Sequence, residues 1–249
     1  MNPRIFVPLI TALLLLAFIL TCPSMLSSQV DPAAEWHLLY LKIRDSMIAK
    51  EEAQGRLKEL EVMLKQFYLT RTDTREDDRL FFPLSGYGPN AIGGERGSGY
   101  ITQGYDFFDG NDHKGHPGHD LFIRDKNQDG VDDGTGKPVE VVSASQGIVV
   151  SVHLNWEPSS PIRGGNYIWV HHPMKSQYFY YAHLDRIFVR VGQIVSKGEP
   201  LGTVGRTGVN AYPKRSPTHL HFVVHQSVGG YPKPINPYTE LVKASLEEK

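Results

Sequence analysis

The chain of 249 residues has a single cysteine and almost no net charge. One cysteine, Cys22, excludes an intrachain disulfide framework and any zinc cluster built from several cysteines. A formal net charge of −1 provides no overall basic field, so we expect no nucleic-acid partner. Hydrophobic residues make up 40% and charged residues 21%, a globular composition that excludes wholesale disorder. What the chain does contain is 11 histidines, all but His37 lying between His113 and His225.

Residues 1–22 have the pattern of a targeting segment. Arg4 precedes an almost wholly apolar run, residues 5–20, which is typical of a secretory signal and slightly short for a membrane span of about 20 residues. Cys22 follows this run as in a bacterial lipoprotein signal, although Thr21 stands where such signals usually carry Gly, Ala or Ser. The segment is therefore a signal peptide, a lipoprotein signal or an uncleaved membrane anchor. All three alternatives predict an exported protein of the cell envelope, periplasmic or on the outer surface, and the last two tether it to the membrane.

Residues 31–69 have the pattern of a helical arm. Asp31 and Pro32 suit an N-cap and first helical turn, and apolar residues then recur at heptad spacing. The seam is interrupted by Ser46 and Lys50. The arm is either a coiled coil that binds a helical partner or a second copy through residues 33–68, or a single amphipathic helix that packs on its own domain or acts as a spacer from the membrane. The few heptads and the interrupted middle of the seam slightly favour the single helix over the coiled coil. The polar residues 70–80 predict a linker.

From about residue 81 to 249 the chain is rich in Gly and Pro, with short β-branched and aromatic runs between turn signals. This pattern of short runs between turns predicts a mainly β domain, either a sandwich or a barrel. The predicted strands are Glu140–Val142, Ile148–His153, Tyr167–His171, Tyr178–Ala182, Ile187–Val191, Leu201–Val204 and His219–His225.

Three short motifs contain the histidines best placed for chemistry. The first is His116-Pro117-Gly118-His119-Asp120, in which Pro-Gly favours a turn that brings an imidazole and a carboxylate together. The second, Tyr181-Ala182-His183-Leu184, ends an aromatic strand. The third is a predicted strand, so that His219 and His221 share one face while the apolar residues that alternate with them point into the core.

Two imidazoles and one carboxylate form a nitrogen and oxygen ligand set that suits Zn²⁺ and leaves one position for water. Zinc lowers the pKa of its water to about 7 and polarises a carbonyl oxygen. Two further imidazoles would transfer protons and stabilise the developing oxyanion. Each motif alone has an ordinary explanation, such as a surface hydrogen bond or a polar strand position. Their concentration in one exported domain favours a hydrolytic zinc centre, most naturally for an amide bond.

These motifs resemble those of the lysostaphin-type (LytM-like) zinc metalloendopeptidases, which cut peptidoglycan cross-links through a zinc-activated water. The resemblance comprises HxGxD, YAHL and HLHF, and it extends in order over about residues 82–237. It implies one zinc ion per chain, peptidoglycan peptides as substrate, and an antiparallel β-sheet core with the zinc on one wall of a groove. The implied zinc ligands are His116, Asp120 and His221, and the implied catalytic residues are His183 and His219.

The chain departs from the family pattern in two places. Val223 stands where the family often has Glu, and the segment between Asp120 and Gly136 is longer than usual. Some relatives have lost zinc ligands and act as scaffolds or as activators of murein amidases through a helical arm. This chain has an arm but retains all five site residues, so the enzyme is favoured over the non-catalytic alternative.

The longer segment has partial likeness to a calcium loop. Oxygen ligands stand at positions 1, 3, 5 and 9, and Gly130 stands at position 6, but position 12 is Gly136 rather than Glu. The candidate calcium ligands are Asp125, Asn127, Asp129, Val131 and Asp133. The other interpretation is a turn rich in Asx and Gly, which needs no ion.

Overall fold

The computed structural model describes residues 31–72 and 79–244. The signal, lipoprotein and anchor alternatives all concern residues 1–22, which lie outside the described residues. Among the described helices, none combines the length and the apolar character that crossing a membrane requires.

The centre of the fold is a nine-stranded sheet in which the paired strands are antiparallel, as the resemblance implied. Its strands are β1 (His119–Phe122), β2 (Glu140–Val142), β3 (Gly147–His153), β4 (Asn166–His172), β5 (Gln177–Ile187), β6 (Ile194–Val195), β7 (Pro200–Val204), β8 (His219–Val228) and β9 (Tyr231–Ile235). The main order is β1-β8-β5-β4-β3-β6, with β9 also pairing with β8, and β7 pairing with β5 and β2. Long strands β5 and β8 therefore lie side by side in the middle.

Both faces of the central strands are buried, because different elements cover each face. In β4, Ile168 and Val170 contribute to one core with the loops and the β2–β7 pair, whereas Tyr167 and Trp169 contribute to a second core beneath the helices. This explains why every residue of β4 is buried although its side chains alternate.

The predicted helical arm is present, but it consists of two helices, α1 (Pro32–Arg44) and α2 (Lys50–Leu69), rather than one. The chain turns at Ser46, whose φ of 55° lies in the left-handed region. Arg56 and Glu35 form an ion pair at 3.2 Å, so the two helices run antiparallel as a helical hairpin, residues 32–69. The hairpin packs on the sheet through Trp36, which is fully buried. Of the alternatives for the arm, the structure shows packing on its own domain.

Two smaller predictions need correction. Ile187–Val191 is not a separate strand, since β5 continues to Ile187 and β7 hydrogen-bonds beside it. The core of the β domain begins at Leu80, inside the predicted linker, because this side chain is buried with the sheet residues. A short helix, α3 (Tyr238–Val242), lies near the end of the described chain.

Candidate metal centre

Two antiparallel strands position the first group of site residues. β1 pairs with β8 in a register that places Asp120 opposite His221. A bridge between Ile101 and His116 fixes the turn before β1, with backbone hydrogen bonds of 2.6 and 2.8 Å. The Pro-Gly turn then brings the His116 ring back over Asp120, as the motif predicted.

His116, Asp120 and His221 form the one group of three candidate metal ligands among the described residues, with donor atoms all within 4.8 Å of one another. Asp120 Oδ1 lies 3.1 Å from His116 Nε2 and 2.9 Å from His221 Nδ1. His116 Nδ1 donates to the Gly99 carbonyl at 2.7 Å, which leaves Nε2 to face the cluster. Two imidazole nitrogens and one carboxylate oxygen that converge in this way fit a zinc ion.

The electrostatics of the cluster centre on Asp120. Burial by itself would raise the pKa of this carboxyl, but hydrogen bonds from His116 and His221 hold it well below its usual range. Burial would likewise lower the pKa of His116, yet its hydrogen bond with Asp120 raises it. Burial outweighs the same carboxylate at His221 and lowers its pKa. The site therefore keeps an anionic oxygen between two imidazoles.

Two more imidazoles face the cluster. His219 donates from Nδ1 to the Pro217 carbonyl at 2.7 Å, and His183 donates from Nδ1 to the Thr207 carbonyl at 2.8 Å. The His183 and His219 ring centroids are 5.0 Å apart. Because a carbonyl can only accept, each ring carries a proton on Nδ1. Burial, followed by the nearby His219 and His221, lowers the pKa of His183 well below its usual value, so this ring is neutral.

The backbone at His183 is unusual. Its φ is 66°, a left-handed conformation that non-glycine residues seldom adopt and that is enriched at functional sites. The register of β5 shifts just beyond it, so the strict alternation of the strand stops there. The His183 amide donates to the Gly164 carbonyl at 2.9 Å. The irregular backbone thus turns this imidazole toward His219 rather than into the sheet core.

The five residues share one cleft of about 600 Å³ that is partly open to solvent. His113 also lines the cleft. The sequence motifs missed Arg163, Gly164 and Tyr180, which line it as well. His119 points away from the cleft, with Nε2 at 2.9 Å from Asn236 Oδ1.

The Asp-rich segment turns its oxygens onto itself and its neighbours. Both carboxylate oxygens of Asp125 accept hydrogen bonds, from the amides of Asp129 and Gly130 and from the Thr218 hydroxyl. Asp129 accepts from the Val131 amide, and Asp133 accepts from the Lys126 amide. This is the geometry of an Asx turn, and the proposed calcium ligands gain no support as an ion site.

The antiparallel sheet thus brings a His-Asp-His cluster that could hold a metal ion into a cleft. Residues 126–237 match the profile of Peptidase family M23. This match confirms the resemblance to the LytM-like family that the motifs carried. It covers His183, His219 and His221, whereas His116 and Asp120 precede it.

Similar proteins include an uncharacterized metalloprotease from Buchnera aphidicola subsp. Baizongia pistaciae (strain Bp), which is 30% identical over 110 residues, 43% of this chain and 26% of that protein. The chain thus spans about a quarter of the length of this relative. Among solved structures, the catalytic domain of lysostaphin from Staphylococcus simulans is 24% identical, with 53% of this chain and 80% of that chain covered and a TM-score of 0.36. A putative glycyl-glycine endopeptidase LytM from Ruminococcus gnavus is 21% identical, with 86% and 82% covered and a TM-score of 0.44.

Proposed function

We propose that this protein is a zinc metalloendopeptidase that hydrolyses peptide cross-links of bacterial peptidoglycan. The observation that carries the proposal is the convergence of His116 Nε2, Asp120 Oδ1 and His221 Nδ1 within a cleft that also holds two unligated imidazoles. A structural zinc site is closed by four protein ligands, whereas three leave a position for chemistry. The activator alternative is not favoured, because all five site residues are present.

The three ligand side chains would hold the ion, which when bound lowers the pKa of water and polarises an amide carbonyl. We assign proton transfer to both rings: the Nε2 of His219 lies 3.7 Å from Asp120 Oδ1, and the neutral His183, with its proton on Nδ1, can accept a proton from water at Nε2. Once protonated, the same ring can donate to the amine that leaves when the amide bond breaks. The carbonyls that hold both Nδ1 protons keep the rings from turning away during this transfer.

Substitutions separate ligands from catalytic residues. We expect His116→Ala and His221→Ala to lose zinc and activity together, because two ligands remain in each. His219→Ala should retain about one zinc per chain but lose roughly 10²- to 10⁴-fold in turnover, the range of general acid–base catalysis. Metal content is measured by elemental analysis and turnover by mass spectrometry of products from purified sacculi.

His37→Ala is the matched control, because His37 bonds to Ser151 outside the cleft. It should retain both zinc and turnover. Hydrolysis of cross-linked muropeptides by His219→Ala at the parental rate would refute the role given to His219. Absence of hydrolysis by the zinc-loaded parent would refute the proposed function. We further propose that the protein acts in the cell envelope, where its substrate is found, and cell fractionation tests this location.

A further inference from the structure

We propose that the cleft continues past the metal centre into a second pocket that binds a carboxylate-bearing residue of the peptide, and that Arg163 determines this specificity. The inference rests on the proposed function. It concerns the side chains next to the scissile bond rather than the bond itself.

The second pocket adjoins the metal centre and, counted together with its opening to solvent, comprises about 530 Å³ of unfilled space. His113, Arg163, Tyr180 and His221 line both spaces, so the two form one continuous depression. A peptide whose scissile bond lies at His221 would therefore place a neighbouring residue in the second pocket.

The outer wall of the second pocket comes from the helical hairpin and from the loop before β1. Tyr40 of α1 and Phe107 of the loop face Trp169 of β4, with centroid distances of 5.1 Å for Tyr40–Trp169 and 5.8 Å for Phe107–Trp169. Tyr40 and Phe107 precede residue 126, so this wall lies outside the stretch that matches Peptidase family M23. The pocket is thus completed by segments that the family profile does not include.

The charge of the pocket selects its ligand. Arg163 donates from Nη1 to the His113 carbonyl, and no described carboxylate lies within ion-pair distance of its guanidinium. Arg44 also lines the pocket, but Asp45 accepts from its Nε and Nη2 at 2.7 and 2.8 Å and so neutralises it.

Within the part of the chain that the structure describes, Asp120 is the one carboxylate that lines either space, and its hydrogen bonds go to the two histidines. Arg163 is therefore a cation beside the cleft whose remaining donors suit a carboxylate. A guanidinium can bind such a group through two parallel hydrogen bonds, which a neutral carboxamide cannot reproduce with equal strength.

Equilibrium binding to the full chain in chelator tests the pocket without turnover. The probes are a cross-linked muropeptide with free carboxyl groups and two matched versions, one amidated at the residue beside the cross-link and one at the C-terminus. We expect one amidation to weaken binding roughly tenfold to a hundredfold, the range of a charge-assisted hydrogen bond. Which amidation does so identifies the carboxylate that Arg163 recognises.

Three variants assign the preference to the side chain. Arg163→Gln should bind free and amidated muropeptides equally, Arg163→Lys should restore part of the preference, and Arg190→Gln, an exposed arginine that lines neither space, should bind like the parent. A purely structural role for Arg163 would instead weaken all muropeptides to the same extent in Arg163→Gln. Any of three results would overturn the inference. They are such uniform weakening in Arg163→Gln, equal binding of all three muropeptides by the parent, and no binding of any muropeptide by the parent. Failure of the zinc-loaded parent to hydrolyse any muropeptide would instead count against the proposed function.

Discussion

Two buried histidines should make the free energy of unfolding fall as the pH falls. His171 stacks on Tyr178 at a centroid distance of 4.1 Å and is 1% exposed, and burial lowers its pKa to about 3. His225 contacts Trp169 and lines the second pocket, and burial lowers its pKa to about 3 as well. An unfolded chain offers neither ring this environment, so both regain a pKa of about 6.5 there.

The sign follows from which state binds protons first. Because the pKa of each ring is lower in the folded protein, the unfolded chain takes up protons first when the pH falls below about 6.5. The free energy of unfolding that depends on these rings being neutral is fully present above about pH 6.5. It is lost progressively as the pH falls toward about 3. Between pH 7.5 and 5.5, each ring should lower the free energy of unfolding by about 1.4 kcal/mol.

Urea unfolding at pH 7.5 and 5.5, with chelator present at both, measures this difference. In His171→Gln the drop between the two pH values should be smaller than in the parent by about 1.4 kcal/mol, since one titrating ring is gone. Val170→Ala, a buried neighbour in β4 that does not titrate, should be less stable at both pH values and show the parental drop. An identical pH dependence in the parent and His171→Gln would refute the reasoning.

Other perturbations test the hairpin, the β1–β8 pairing and the Asp-rich loop. Trp36→Ala should destabilise the protein by about 3–5 kcal/mol in urea unfolding, because this fully buried ring packs against Trp169; a loss below 1 kcal/mol would contradict that packing. Gly118→Ala should reduce bound zinc per chain, because a Cβ there would overlap the Phe222 carbonyl and push β1 away from β8; unchanged zinc content would contradict it. Calcium titrated into chelator-treated protein should give no heat by calorimetry, because both oxygens of Asp125 already accept hydrogen bonds; a stoichiometric signal would restore the ion site.

Local patterns in the sequence predicted individual strands well. The alternation of residue types in the third motif correctly predicted that Leu220 and Phe222 point into the core. Successive side chains of a strand point to opposite faces whatever the partner strands are. The contact between Asp120 and His221 joins residues 101 positions apart, and no local pattern contains it. Only the resemblance to a known family placed these residues together in advance.

In the helical segment, the periodicity of apolar residues could not predict the number of helices. Apolar spacing continues across both helices, so it predicted one helix, whereas the left-handed backbone at Ser46 reverses the chain. The interrupted seam at Ser46 and Lys50 was the available signal, and it favoured a single helix over a coiled coil without indicating a turn. Arg163 had no signal at all, since its importance comes from neighbours distant in sequence.

The aromatic face under the hairpin also sets a limit on how this protein can be divided. A fragment that starts at residue 81 would leave Trp169 and Tyr178 uncovered, together with the apolar side chains of β3 beside them. Such a surface invites aggregation in water. The smallest piece of this chain that can be moved into another protein as a working unit should therefore start before Pro32, where α1 begins.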